Sequence, residues 1–334
     1  MKKQDQPVQN IFDTKLSIVV GICTSGRNDL LLRLLKTLGE QRAPSSNRIQ
    51  VVVVGNDVSD TVNSLLSQID FPFSVAVVQE ARPGVVRARN TLFDAAEEYA
   101  AEWLVSIDDD TWLAPGWLEA WIEGTNQRPA DILIGPTTLV YDATVSKFHP
   151  QNQFPALSAD RRPAIMATVN YAIHKSIFHR TDGLGLRYDM ALNHCGGEGT
   201  EMMFRAIRQH SIKVLGWPHP HSFEERTGRR GELRTHLKRV MQDQIVSYRI
   251  AALHRRLGLL QANGNMASLL VRRTCRYLVE FLGLLFGGIA KLIVSPDQGQ
   301  RMIGKALEKL VRFWAVIPFV MGLVPQTYGV KVSE

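Results

Sequence analysis

Trp103-Leu104-Val105-Ser106-Ile107-Asp108-Asp109-Asp110 is an apolar run that ends in three consecutive carboxylates. A short, nearly continuous apolar run reads as a strand covered on both faces, so the acidic triplet falls at a strand end. Adjacent anions repel, and a folded chain keeps them only where a cation or solvent offsets their charge. On an extended backbone alternate side chains share a face, which puts Asp108 and Asp110 together and Asp109 opposite. Two carboxylates on one side suit Mg²⁺ or Mn²⁺ held against a phosphate. A solvated acidic loop is the plain alternative.

Outward from this stretch, the first half alternates strand and helix signals. Residues 16–22 form a β-rich run, and Asn28 or Asp29 is placed to cap a helix whose Leu31, Leu34, Leu35 and Leu38 make one apolar face. Residues 49–54 form a second apolar run that ends at Gly55-Asn56-Asp57. A helix over 59–68 and a strand over 74–78 repeat the pattern, and Arg82-Pro83-Gly84 turns the chain into a helix carrying Leu92, Phe93, Ala96 and Tyr99. Repeated βα units predict a largely parallel sheet with helices on both faces. Ligands of such sheets sit beyond the carboxyl ends of the strands, so Asp57 and residues 108–110 share one rim. A nucleotide there would use Asp57 for its base or ribose and the Asp108/Asp110 pair, through a metal, for its diphosphate. Alone, Asp57 reads as a polar strand terminus or cap.

With 334 residues, 45% hydrophobic and 21% charged, the chain can bury a sizeable core. Its net charge of +7 hides an asymmetry. Residues 1–225 carry 21 Lys and Arg against 26 Asp and Glu, a net of −5, whereas residues 226–334 carry 18 against 6, a net of +12. A basic tail interleaved with apolar runs fits an anionic membrane surface. Base-stacking aromatic signatures and nucleic-acid-binding motifs are missing, which argues against a nucleic-acid partner. Three scattered cysteines, Cys23, Cys195 and Cys275, point to a reducing compartment and against a zinc site or disulfide frame. Residues 1–15 are polar, with no apolar core of a secretory signal, so the expected location is cytoplasmic, peripheral at the inner face of the cell membrane.

Several motifs then occur in a fixed order: residues 17–27 (SIVVGICTSGR), 54–57 (VGND), 82–90 (RPGVVRARN), 107–110 (IDDD), 134–136 (IGP), 170–173 (NYAI) and 196–201 (GGEGTE). This succession resembles the family-2 glycosyltransferases of GT-A fold, and most of all the bacterial glucosyltransferases of succinoglycan-type exopolysaccharide assembly. The likeness spans roughly residues 16–250, and the ordered set is far more specific than any one element. It implies an inverting transfer from a UDP-sugar, UDP-glucose being the first candidate, to a saccharide or lipid-linked saccharide acceptor, with Mn²⁺ or Mg²⁺. By that resemblance Asp57 matches the aspartate that reads the nucleoside. Asp108 and Asp110 match the Asp-x-Asp pair, Asp110 for direct metal contact and Asp108 for ribose or sugar as well as metal. Thr24, Arg27, Arg89 and Asp109 join the donor-binding set; helix capping (Thr24, Arg27) and ion pairing with the acidic cluster (Arg89) are their plain roles.

One position departs from the pattern. The family reads Gly-Gly-Glu-Asp-x-Glu, its Asp being the expected general base, and Gly199 stands there. A glycine cannot take a proton, so Glu198 becomes the first candidate base and Glu201, one turn along a helix, the second; bracing the helix start is their structural role. The same departure supports an alternative, a weak or inactive donor-binding or scaffold protein of a polysaccharide assembly complex. Nucleotidyl transfer is disfavoured, because no Gly-rich, Lys-bearing phosphate loop follows the first strand.

Further on, His221 is a candidate third metal ligand with Asp110, or a loop histidine among prolines. One or two of Arg226, Arg229, Arg230, Arg234, Lys238 and Arg239 are expected at the diphosphate. Residues 277–294 and 313–324 are apolar but too short or interrupted for a confident span, and with basic residues before each they read as interfacial helices. Packing on the catalytic domain, or against a second copy as a homodimer, is the alternative. The expected organisation is thus a polar tail (1–15), a GT-A domain (16–225) and a basic amphipathic helical region (226–334).

Overall fold

The computed structural model describes residues 17–43, 48–56, 61–127, 130–259 and 266–325. The two most β-branched runs, β1 (Ser17–Thr24) and β2 (Arg48–Gly55), pair in parallel along their whole length. β3 (Ser74–Gln79) adds in parallel outside β2, and β4 (Trp103–Asp108) pairs in parallel on the other side of β1. Beyond β4 lie β8 (Asn170–His174), β6 (Ile132–Ile134) and β9 (Val214–Gly216), giving a seven-stranded sheet ordered β3-β2-β1-β4-β8-β6-β9. Only β8 runs against its neighbours. A second sheet of three short strands, β5 (Thr111–Leu113), β10 (Ser222–Glu225) and β7 (Thr137–Val140), stands above the carboxyl rim.

Alternation along the strands divides the core into two layers. Val19, Val52, Val54 and Leu104 face α3 (Val85–Glu98) and α6 (Glu198–His210). Ile18, Val20, Val51 and Val105 face α1 (Asn28–Gly39), α2 (Thr61–Leu66) and α4 (Trp117–Gln127). Leu31, Leu34, Leu35 and Leu38 are the buried stripe of α1, as their spacing predicts. Neither Asn28 nor Asp29 caps it: the helix starts at Asn28, and Arg27 at the cap position makes no side-chain cap. Tyr99 lies just past the end of α3 and is exposed, unlike Leu92, Phe93 and Ala96. Asn170 locks the rim. Its amide donates to the carbonyls of Pro136 and Pro220, and its oxygen accepts from the indoles of Trp117 and Trp121, so a buried polar group is fully satisfied.

After a four-residue helix α5 (Lys175–Phe178), α6 and the second sheet, the chain becomes helical: α7 (Leu233–Arg256), α8 (Met266–Val294), α9 (Pro296–Trp314) and α10 (Val316–Val320). Ser295 and Pro296 break α8 from α9, and the two pack as a helical hairpin, Gly288 and Gly299 allowing close approach. The hairpin is clamped to the α/β body through α9. His236 Nε2 and Asn152 Nδ2 both meet Glu308 Oε1, at 2.5 and 2.9 Å, and Gly304 lies against the carbonyl of Phe148. A Cβ at Gly304 would stand 1.7 Å from that oxygen. Since a backbone carbonyl cannot rotate aside, Gly304→Ala is expected to destabilise the protein by about 1–3 kcal/mol in urea unfolding; an unchanged midpoint would show that α9 is not seated there.

Candidate active site

The carboxyl ends of β1 and β4 and the start of α6 bring the acidic and basic groups together. β4 stops at Asp108 and the chain turns through Asp109 and Asp110 into β5, so strand alternation no longer applies to the triplet. This corrects the expectation that Asp108 and Asp110 share a side with Asp109 opposite. Asp109 is wholly buried beneath β1, where its Oδ2 accepts from Thr24 Oγ1 at 2.7 Å and from Arg27 Nε at 3.1 Å. Arg27 Nη1 also reaches Asp110 Oδ2 at 2.8 Å, and its Nη2 pairs with Asp109 Oδ1. Asp109 and Asp110 therefore share one guanidinium, while Asp108 turns to Arg89 on α3, 3.1 Å away.

Arg89 connects Asp108 to the second candidate set. Its Nε lies 3.1 Å from Glu198 Oε1 without hydrogen-bond alignment, and its Nη1 donates to the carbonyl of Thr168 at 3.3 Å. Glu201, one turn further along α6, points elsewhere: it is fully buried, accepts from Arg205 Nε at 2.9 Å and meets His254 Nε2 on α7 at 3.0 Å. The fold thus brings Glu198 to the acidic cluster and leaves Glu201 in a helix-pinning network. At Gly199, a Cβ would come 2.3 Å from Thr168 Cγ2, so the Thr168 side chain already fills the space into which a side chain at 199 would project.

Of the basic run after β10, Arg230 is the residue at the cluster, with Nη1 2.8 Å from Asp110 Oδ2. Arg226 pairs with Glu224 at 2.7 Å. Glu224, only 3% exposed, escaped the sequence reading because an acidic residue in a short strand carries no local signal of burial. Burial lifts the Asp108 carboxyl to about 7, against the pull of Arg89 and helped by the negative charge of Asp110, Asp109 and Glu224. Burial also raises Asp109 despite Arg27 and Thr24. For Asp110 burial acts upward too, yet Arg27 and Arg230 outweigh it and hold the carboxyl below its ordinary value. Cys23, level with Asp108 in the β1/β4 register, is pushed by burial up to about 12 and is no nucleophile.

The neighbouring rim at β2 and β3 is equally built. Asp57 lies outside the described residues, but Asn56 before it donates to the carbonyls of Glu80 and Arg82 and accepts from the Gly84 amide. Gly84 has φ +130°, and a Cβ there would run into Asn193, which holds the Arg-Pro-Gly turn through the Pro83 carbonyl. Hydrogen bonds from Arg82 hold the Glu80 carboxyl down from 4.5 to about 2. Because the folded value is depressed, this stabilisation is complete above about pH 4.5 and is lost as pH falls toward 2. Arg82 is largely exposed, so the contribution is about 1 kcal/mol. Glu80→Gln should lower unfolding stability by that amount at pH 7, and the gap from the parent should close with acidification; a gap independent of pH would contradict it.

His221 does not reach Asp110. It precedes β10, and its carbonyl accepts from the amide of Ala114, four residues along the chain from Asp110, at the far end of the β5/β10 pair. Its Nε2 hydrogen-bonds Thr138 Oγ1 at 2.8 Å, on β7. Among the described residues no three His, Cys, Asp or Glu side chains converge on a cation position. Asp108 and Asp110 nonetheless fit a hard divalent ion. They are hard oxygen donors on one rim, with Asp109 and Glu224 adding negative charge nearby, and Mg²⁺-type ions are held by one or two carboxylates plus substrate phosphates rather than by an all-protein cage.

A mostly parallel sheet flanked by helices, with an acidic triplet on its carboxyl rim and a reversed β8, defines a GT-A fold. The profile of Glycosyl transferase family 2 matches residues 17–192, more than half of the chain, and the chain belongs to that family. It is similar to the succinoglycan biosynthesis protein ExoM of Rhizobium meliloti (strain 1021), 25% identical over 191 residues that make up 56% of this chain and 60% of that protein. The chain thus aligns with less than two thirds of that relative. The mannosyltransferase PcManGT from Pyrobaculum calidifontis, in complex with GDP-Man and Mn²⁺, shares the fold at a TM-score of 0.55 and 15% identity, covering 92% of this chain and 88% of that one. TarS of S. aureus shares it at 0.50 and 15%, covering 76% of this chain and 41% of that one.

Proposed function

We propose that the protein is an inverting glycosyltransferase of polysaccharide biosynthesis that moves a sugar from a UDP-sugar, UDP-glucose being the first candidate, to a saccharide acceptor that is lipid-linked. The observation that carries this reading is the rim cluster in which Asp108, Asp109 and Asp110 meet Arg27, Arg89 and Arg230. Family membership and the succinoglycan relative support sugar transfer into a polysaccharide, and the Mn²⁺ of PcManGT is compatible with the carboxylate pair. In a single displacement the acceptor oxygen attacks the anomeric carbon, the bond to the diphosphate breaks, and no sugar-enzyme bond forms. The departing diphosphate gains negative charge, which Arg27 and Arg230 at the rim are placed to meet. A divalent ion held by Asp108 and Asp110 would add Lewis-acid stabilisation of the same charge. The acceptor hydroxyl must lose its proton as it attacks, and Glu198, at the start of α6 and beside the cluster through Arg89, is the carboxylate proposed to take it.

The tail supports a membrane surface. α8 is long and apolar enough to cross a membrane by length and composition, and its outer face is bare: Phe286 is 68% and Ile293 87% exposed. α9, clamped to the α/β body through Glu308 and Gly304, carries Lys309, which pairs with Glu280 of α8. A helix tied in this way lies on a bilayer with the body rather than passing through it alone. Arg272, Arg276, Lys291, Arg301 and Lys305 beside the apolar face suit anionic lipid.

Calorimetric titration with UDP and with GDP, each with Mn²⁺ and with chelator, tests the donor. Metal-dependent preference for UDP is expected. Binding of neither nucleotide would sink the transferase reading, and binding without turnover on any lipid-linked acceptor would favour the scaffold alternative that Gly199 suggests.

A further inference from the structure

Between α6, α7 and α8 lies a cavity of about 380 Å³ whose lining includes Gly197 and Thr200 at the start of α6 and none of Asp108, Asp109 and Asp110. Its polar wall includes Arg208, Arg273, Thr200, Ser247 and Asp243, and Leu269 lies at the α8 side. Arg27, Arg89, Arg205 and Arg226 all sit on carboxylates. Arg208 and Arg273 do not: among the described residues neither forms an ion pair. Arg208 Nη1 donates to His254 Nδ1 at 2.6 Å, and Arg273 makes a long 3.4 Å contact with Ser247 Oγ. An arginine can only donate, so Arg208 meets the lone pair of His254 Nδ1 while Nε2 of that ring faces Glu201, and the histidine gives Arg208 no countercharge. Arg208 is further held below the usual arginine range by burial and by the like charge of Arg162. Asp243, the one carboxylate in the wall, is raised by burial against the pull of Arg239, Arg312, Arg226 and His236.

Two guanidiniums without anions beside hydroxyl groups make a receptor for a phosphate. Leu269 and Arg273 are one turn apart on α8 and look into this cavity, whereas Val271, Leu278 and Leu282 of the same helix are exposed and apolar. We propose that the cavity binds the phosphate-bearing headgroup of an anionic phospholipid drawn from the membrane surface on which α8 lies. The proposal rests on the membrane-surface reading and adds to it a specific site. A headgroup on Arg208 would also touch Gly197 and Thr200 at the start of α6, the helix that sets Glu198.

The test uses the full chain and soluble dihexanoyl-phosphatidylglycerol, with dihexanoyl-phosphatidylcholine and inorganic phosphate as comparators, titrated calorimetrically into the parent, Arg273→Gln, and the Arg208→Gln/Arg273→Gln double variant. Saturable binding of the phosphatidylglycerol is expected, weakened about tenfold or more in the double variant and partly in Arg273→Gln, with the phosphatidylcholine not bound. Arg273 makes so little contact that its variant is expected to fold, and UDP binding checks this in each protein. Equal affinity of parent and Arg273→Gln, or equal binding of the two lipids, would overturn the site. Phosphate bound as tightly as lipid would overturn the lipid assignment. Sedimentation with phosphatidylcholine vesicles, with and without phosphatidylglycerol, separates the two readings: short-chain lipid bound without vesicle binding would fail the membrane surface and keep the cavity, and the reverse would do the opposite.

Discussion

Asp110→Ala is expected to lower sugar transfer by about 10²–10³ and to remove the metal-dependent part of UDP binding. In the fold Asp110 is the carboxylate on which Arg27, after β1, and Arg230, after β10, converge from far apart in the chain. Its removal leaves two guanidiniums facing each other and takes away one of the two oxygen donors for a divalent ion. Calorimetry with Mn²⁺ and with chelator separates the losses: the chelator-resistant affinity for UDP should survive while the Mn²⁺-dependent gain vanishes. Undiminished, metal-dependent turnover in this variant would remove Asp110 from the site. Asp109→Ala is the contrasting control, because a wholly buried carboxylate that holds Thr24 and Arg27 is read out as lost stability.

The second large effect distinguishes two glutamates one helical turn apart. Glu198→Gln should reduce kcat by about 10²–10⁴ with donor affinity preserved, since the amide keeps the shape beside Arg89 and loses only the capacity to take a proton. Glu201→Gln should instead cost about 1–3 kcal/mol of stability, because Arg205 and His254 lose a charged acceptor in a dry setting. Equal, small effects on kcat would refute Glu198 as the base. A Glu198→Gln variant that loses donor affinity as steeply as turnover would make it a binding group through Arg89. Restoring a carboxylate at Gly199 is not a simple gain, for Thr168 fills that space and would have to be reduced at the same time.

Much was legible because it is local. The β-branched runs of β1 and β2, the leucine stripe of α1 and the apolar approach to Asp108 repeat at the strand or helix period, and that repetition alone predicts a βα-type sheet with an acidic rim. The ordered motifs narrowed it to one family. The tail was legible as basic and apolar, yet the basic segment between the two apolar stretches is itself a helix, α9, folded back on α8 at Pro296, and the second stretch falls on the end of α9 and on α10, since side-chain composition does not say where helices fold back on each other.

What tertiary structure alone decided are pairings across long chain separations and the directions taken at turns. Asp109 turns under β1 because the strand ends one residue earlier, and periodicity stops with the strand. Arg230 finds Asp110 from 120 residues away, and His254 finds Glu201 from 53. His221 misses the acidic cluster through the antiparallel register of β5 and β10, and Thr168 closes the space at Gly199. The sequence by itself determined the periodic elements and the kinds of charge on the rim. Which charges meet, and which glutamate joins the acidic cluster, depended on packing, because contact energies between residues far apart in the chain leave no local pattern to read.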